Sequence, residues 1–184
     1  MAIVRNVSRT SKGLKTIDME IALSEYFNAR QNLIVPNVEW GAFIHECDLL
    51  IITKAGYAYE IEIKVSRADL KKDRGKRHGH VDRRDRIKQL YFAVPEHLLP
   101  IDEHIPARAG IISVTRINGR YSCVSKRRAQ VSPTACKWSD PERYNVARLG
   151  SMRIWTLKKR IVRLSKEMAI SSPNRPITPL ETAQ

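Results

Sequence analysis

The chain has 184 residues, 42% hydrophobic and 28% charged, which are the proportions of a folded domain and exclude a largely disordered one. With 33 Lys and Arg against 19 Asp and Glu, the net charge is +14, which favours a polyanionic partner, nucleic acid ahead of an anionic membrane surface. No run approaches the roughly 20 apolar residues of a membrane span, no secretory-type apolar core opens the sequence, and the three cysteines form no CxxC pair, so a soluble cytoplasmic protein without disulfides or a Cys-rich zinc site is expected.

In chain order, residues 1–14 read as a loose basic arm and 15–168 as one domain. Thr16–Arg30 has helical spacing, with Thr16 as N-cap and Asp18 and Glu20 in the first turn, where the helix dipole favours acids. Three strand-like runs follow at 33–40, 46–53 and 57–66, and Pro36 moves the first towards a sheet edge. Ser66 and Asp69 open a short helix in the manner of a capping box. Residues 74–86 are Gly- and charge-rich and read as a loop. Strands are expected at 87–94 and 109–115, the latter paired with 121–127 through an Asn118-Gly119 turn. Asp140-Pro141 starts a helix to about 168, with Ala147, Ile154, Leu157, Ile161, Leu164 and Met168 on one stripe, before a Pro-rich tail at 169–184 expected to be disordered. The order predicts a mixed α/β domain around one sheet.

The strand YEIEIKVS places Glu60, Glu62 and Lys64 on one face and Tyr59, Ile61, Ile63 and Val65 on the other. If the preceding hairpin turns about Lys54-Ala55-Gly56, Asp48 lies opposite Glu62, Glu46 opposite Lys64 and Leu50 opposite Glu60. Two readings fit: a half-exposed sheet face with a Glu46–Lys64 ion pair, or two carboxylates that share a divalent cation beside a lysine. Magnesium takes hard oxygen ligands and is commonly held by one or two carboxylates. A lysine beside it can orient water or offset charge on a phosphate.

Asp48, then Glu62-Ile63-Lys64, then a capped helix resembles the PD-(D/E)XK nuclease superfamily. HECDLLIIT, YEIEIKVSRADLKKD and LYFAVPEHL resemble most closely the MmcB-type DNA repair proteins and related phage and bacterial nuclease-like proteins, over about residues 16–115. The resemblance implies a restriction-endonuclease-like αβββαβ core, with a mixed sheet flanked by helices and an added basic C-terminal helix. It implies a Mg²⁺-dependent DNA endonuclease, with Mn²⁺ able to substitute, in DNA repair, recombination or phage DNA processing. Asp48 and Glu62 would be metal ligands, Lys64 the catalytic lysine, the Ile63 carbonyl a further ligand, and Glu20 the first-helix acid, with Glu25 as its alternative. Cys47 stands where the motif often has proline.

Basic residues crowd the segment after Lys64, and Lys71, Lys72, Arg74, Lys76, Arg77, Arg83, Arg84 and Arg86 suit phosphate contacts that give affinity without sequence information. DNA is the expected partner, not a membrane, in a bacterial or phage-infected cytoplasm, as a homodimer or within a larger complex. A non-cleaving DNA-binding subunit and an RNA-directed nuclease are the rival readings. His78 and His80 make a weak zinc pair with no third ligand in view, and Trp40, Trp138 and Trp155 read as packing residues.

Overall fold

The computed structural model describes residues 8–38, 46–73 and 85–171, with side chains to 168. Residues 74–84, with Arg74, Lys76, Arg77, His78, His80, Arg83 and Arg84, lie outside the described residues, as do Trp40 and the tail from 172. Two compact units are present, 1–149 and 150–184. The fold is mixed α/β. Its elements are β1 (Arg9–Thr10), α1 (Thr16–Tyr26), β2 (Leu33–Val38), β3 (Cys47–Ile52), β4 (Ala58–Ile63), α2 (Arg67–Asp73), β5 (Ile87–Pro95), β6 (Gly110–Ile117), β7 (Arg120–Arg127) and α3 (Asp140–Ser171). The sheet runs β6-β5-β4-β3-β2, with β7 on the other side of β6 and β1 extending the β5 side. β4, β5 and β6 are parallel neighbours, while the β2–β3, β3–β4 and β6–β7 pairs are antiparallel.

Three local departures from the sequence reading have physical causes. The loose arm is docked from residue 8 on: Arg9 and Thr10 pair with Ile117 and Arg116, and the Arg9 guanidinium grips the Glu96 carboxylate at 2.6–3.0 Å. The N-cap of α1 is Lys15 rather than Thr16, because the Asp18 carboxylate accepts the Lys15 N–H at 2.8 Å and so closes the first turn from inside. The helix stops at Tyr26 rather than Arg30, since Asn28 is in the left-handed region at φ 54° and the Asn32 amide donates to the Phe27 carbonyl.

One face of the sheet packs on α1, burying Met19, Ala22 and Leu23 with Leu49, Ile51, Ile61 and Ile63. The opposite face carries two apolar clusters. The first holds Leu50, Ile52, Ala58, Trp138 and Val146; the second holds Leu70, Leu90, Phe92 and Val94. Burial of each Leu, Ile, Val, Met or Phe side chain among these stabilises the fold by about 1.5–3 kcal/mol before chain entropy is charged.

Candidate active site

The hairpin that creates the site turns at Thr53–Tyr57. Thr53 donates to the Tyr57 carbonyl at 2.9 Å and Gly56 to that of Thr53 at 2.8 Å, with Gly56 at φ +88°, where a side chain would be strained. That loop sets the register: Ile52 pairs with Ala58, Leu50 with Glu60 and Leu49 with Ile61, as the loop predicts. Alternation along β4 sends Ile61 and Ile63 to the α1 side and Glu60 and Glu62 to the other. On the next strand, Glu60 is beside Leu90 and Glu62 beside Phe92. The acidic row therefore runs between the two apolar clusters, flanked in sequence by β3 on one side and α2 after it. Glu60, at 1% exposure, is more deeply buried than a half-exposed sheet face allows.

The regular β3–β4 ladder ends at Leu49–Ile61. Beyond it the strands are held by a side chain: Asp48 Oδ2 accepts the Ile63 N–H at 2.7 Å. Asp48 thus stands in for a backbone acceptor instead of simply facing Glu62. Lys64 leaves β4 with its N–H bonded to the Ala93 carbonyl at 3.0 Å, and its ammonium is 2.7 Å from Glu62 Oε2 and 5.9 Å from the Phe92 ring centre. Glu46 is exposed, and the ion pair forms between Lys64 and Glu62, two residues before it, rather than across the hairpin. Burial pushes the Glu62 carboxyl up to about 7 from its ordinary 4.5; Lys64 opposes this, and the nearby Asp48 and Glu60 carboxylates add to it.

Asp48, Glu62 and Lys64 are therefore brought together. Glu20 approaches from α1: the Asn37 amide, held at φ 50° near the end of β2, donates to Glu20 Oε1 at 3.3 Å. Next to it, Val38 pairs with Cys47, the neighbour of Asp48. Glu25 is instead close enough to the β7 residue Cys123 to raise its thiol pKa, on the far side of the sheet from β3. Of the two first-helix acids, Glu20 is the one tied to the end of β2 beside β3, while α1 packs on the sheet face opposite Glu60 and Glu62.

Among the described residues, no three His, Cys, Asp or Glu side chains converge as a metal-binding group. Two carboxylates with a carbonyl still fit magnesium, which fills its remaining positions with water and substrate oxygen. The bonds to Ile63 and Lys64 each use one oxygen of their carboxylate. A carboxyl raised to about 7 by its own burial, with Asp48 and Glu60 adding to the shift, also gains from added positive charge.

After Ser66, whose hydroxyl accepts the Asp69 N–H at 3.2 Å, α2 presents exposed Lys71 and Lys72 one turn beyond the site. Arg86 is committed elsewhere: its guanidinium bonds Glu142 at 2.5 Å and lies 4.7 Å from the ring centre of buried Trp138. This engagement, and the use of Asp48 as a backbone substitute, carry no sequence signal. Trp155, 60% exposed, is not a packing residue of its own unit. A separate open groove of about 420 Å³, lined by Gln31, Leu33, Lys54, Arg143 and Tyr144, holds none of the acidic set.

No family model and no curated protein matches the chain. A solved structure of a protein of unknown function from Silicibacter pomeroyi is similar, with a TM-score of 0.52 at 18% identity over 90% of this chain and 98% of that one. Such a likeness bears on the fold alone. Among the described residues, no helix is long and apolar enough to cross a membrane.

Proposed function

We propose that the chain is a metal-dependent nuclease that hydrolyses DNA phosphodiesters, with the site described above as its active site and a restriction-endonuclease-like core as its frame. The observation that carries this reading is an acidic pair, buried Glu62 and half-buried Asp48, with a lysine ammonium 2.7 Å from Glu62. A sheet face without chemistry gains nothing from burying Glu60, Glu62 and Lys64 together, because desolvating charges costs several kcal/mol per ion.

Asp48 and Glu62, with the Ile63 carbonyl and, directly or through water, Glu20 of α1, would hold magnesium or manganese. When bound, the ion would supply positive charge against the scissile phosphate. Lys64 holds its ammonium at the same place, where it can orient the attacking water and offset charge that develops on the phosphate oxygens. The Glu62 bond fixes the ammonium's direction, and the Phe92 ring limits its travel. Lys71 and Lys72 would engage the flanking backbone phosphates, a contribution that weakens with salt. DNA repair, recombination or phage DNA processing are the settings such an activity fits.

The test is cleavage of linear, nicked, branched and single-stranded DNA by wild type and Lys64→Ala, with Mg²⁺, Mn²⁺ or EDTA. Cutting that needs the metal and is lost in the variant, with DNA binding retained, is expected. Salt-sensitive binding by both proteins without cutting would instead identify a DNA-binding subunit. Preference for RNA duplexes in competition would shift the substrate, since discrimination requires contacts to the 2′-hydroxyl.

A further inference from the structure

The second unit is the helical segment that starts at Gly150. Its large apolar side chains are exposed, and one row of them is Ile154 at 54%, Leu157 at 55%, Ile161 at 62% and Leu164 at 44%, with Met152, Trp155 and Val162 exposed beside it. Spacing along the row alternates three and four residues, and Met168 continues it. That is the heptad seam of a coiled coil, with Ile at a and Leu at d, the choice that favours two strands. From Ile154 to Met168 the seam spans about 21 Å at 1.5 Å per residue, enough for two heptads.

The flanking positions decide what kind of second strand fits. Arg153, Arg160 and Glu167 occupy g, and Lys158 and Ser165 occupy e. Residues 150–168 carry six basic side chains against the single acid Glu167, and Arg163 already lies 3.7 Å from it. In a parallel pair with another copy, Arg153 would face the other copy's Lys158 twice over by symmetry. Like charges at those positions disfavour pairing, and opposite ones select a partner. Nucleic acid matches the charge but has no use for an Ile/Leu seam.

We propose that this helix docks an acidic amphipathic helix of a partner protein, about 15–20 residues long, with apolar a and d positions and Glu or Asp at e and g. The proposal does not depend on the nuclease reading.

Full-length protein would be titrated with a fluorescent 21-residue peptide of three heptads, Ile at a, Leu at d and Glu at e and g, and with its counterpart carrying Lys at e and g. The acidic peptide is expected to bind at least tenfold more tightly than the basic one and to weaken with salt. Leu157→Asp/Ile161→Asp should lose that binding by tenfold or more. Both positions are exposed, so the melting temperature and any DNA cleavage of this variant should match wild type. Equal affinity for the two peptides, or none for either, would overturn the proposal. So would a wild-type dimer in sedimentation that the double variant abolishes, since the occupant would then be a second copy. Loss in that variant of duplex DNA binding, or of binding to phosphatidylglycerol vesicles, with peptide binding unchanged would also overturn it, in favour of a nucleic-acid or membrane face.

Discussion

The carboxyl of Glu62 is held in the fold at about 7, against 4.5 when free, because burial outweighs the Lys64 ammonium beside it and Asp48 and Glu60 add repulsion. The folded protein therefore binds this proton more tightly than the unfolded chain does. Stability is greatest below about pH 4.5, falls as pH rises through the window from 4.5 to about 7, and is then level. A difference of 7 − 4.5, at about 1.4 kcal/mol per pH unit, gives a loss of about 3 kcal/mol. Other carboxylates titrate in the opposite sense. Asp18 is held below its ordinary range by the Tyr121 hydroxyl, and Glu96 by the Arg9 guanidinium, so each stabilises at higher pH and loses that as pH falls. The comparison with Glu62→Gln cancels them. Urea unfolding of both proteins at pH 4.5 and pH 8 should show wild type losing about 3 kcal/mol relative to the variant. At pH 8, Mg²⁺ should recover part of that difference in wild type and leave the variant unchanged, because an ion that binds only the folded carboxylate stabilises by mass action. Parallel stability curves would refute the reasoning: Lys64 would then dominate, and Glu62 would stay ionised throughout.

Asp48→Asn keeps an acceptor oxygen for the Ile63 N–H, whereas Asp48→Ala leaves it unmet at a cost of about 1–3 kcal/mol. Cleavage should be lost in both, with a lowered urea midpoint in the Ala variant alone. Gly110→Ala puts a Cβ 2.5 Å from the Tyr91 ring and 2.8 Å from the Ala129 nitrogen, so strand β6 must shift. About 1–3 kcal/mol of destabilisation, or a fall of several degrees in Tm by calorimetry, is expected.

What the sequence made legible follows local rules. Gly56 marks the only residue of its loop that tolerates a left-handed backbone easily, so the loop and hence the β3–β4 register could be counted from it. Asn118 and Gly119, both at positive φ, similarly specify the β6–β7 turn. Ser66 announces α2 through its hydroxyl. Each is a case in which two or three neighbouring residues decide the geometry. The departures are the opposite case. Arg9 and Thr10 become a strand because β6 offers an edge 106 residues later, measured from Thr10 to Arg116, and nothing in the dipeptide itself requires it. Lys15 is no capping side chain; it becomes an N-cap because Asp18 reaches its backbone. Arg86 looks like part of a phosphate-binding run until Glu142, 56 residues away, takes its guanidinium.

The carboxylates show the same division within one site. Their common face is a consequence of strand period and loop length, both local, and so the pairing of Asp48 with Glu62 was readable as proximity. Their environment is a consequence of packing. Glu60 and Glu62 are buried because Leu90 and Phe92 stand beside them on β5, and that parallel neighbour is reached only through α2 and the segment after it. The raised carboxyl and the inward lysine depend on this second contribution. A sheet with the same β3–β4 hairpin but no β5 would leave all three charges in water, with Glu62 titrating near 4.5. The site's electrostatic demand for a cation therefore arises at the β4–β5 pairing, while the residues that could answer it are set by the hairpin. A cavity-forming change at Phe92, which leaves the acidic set intact, should accordingly lower the Glu62 carboxyl by admitting water, and NMR titration of that carboxyl would reveal it; an unmoved titration would assign the shift to the neighbouring carboxylates instead.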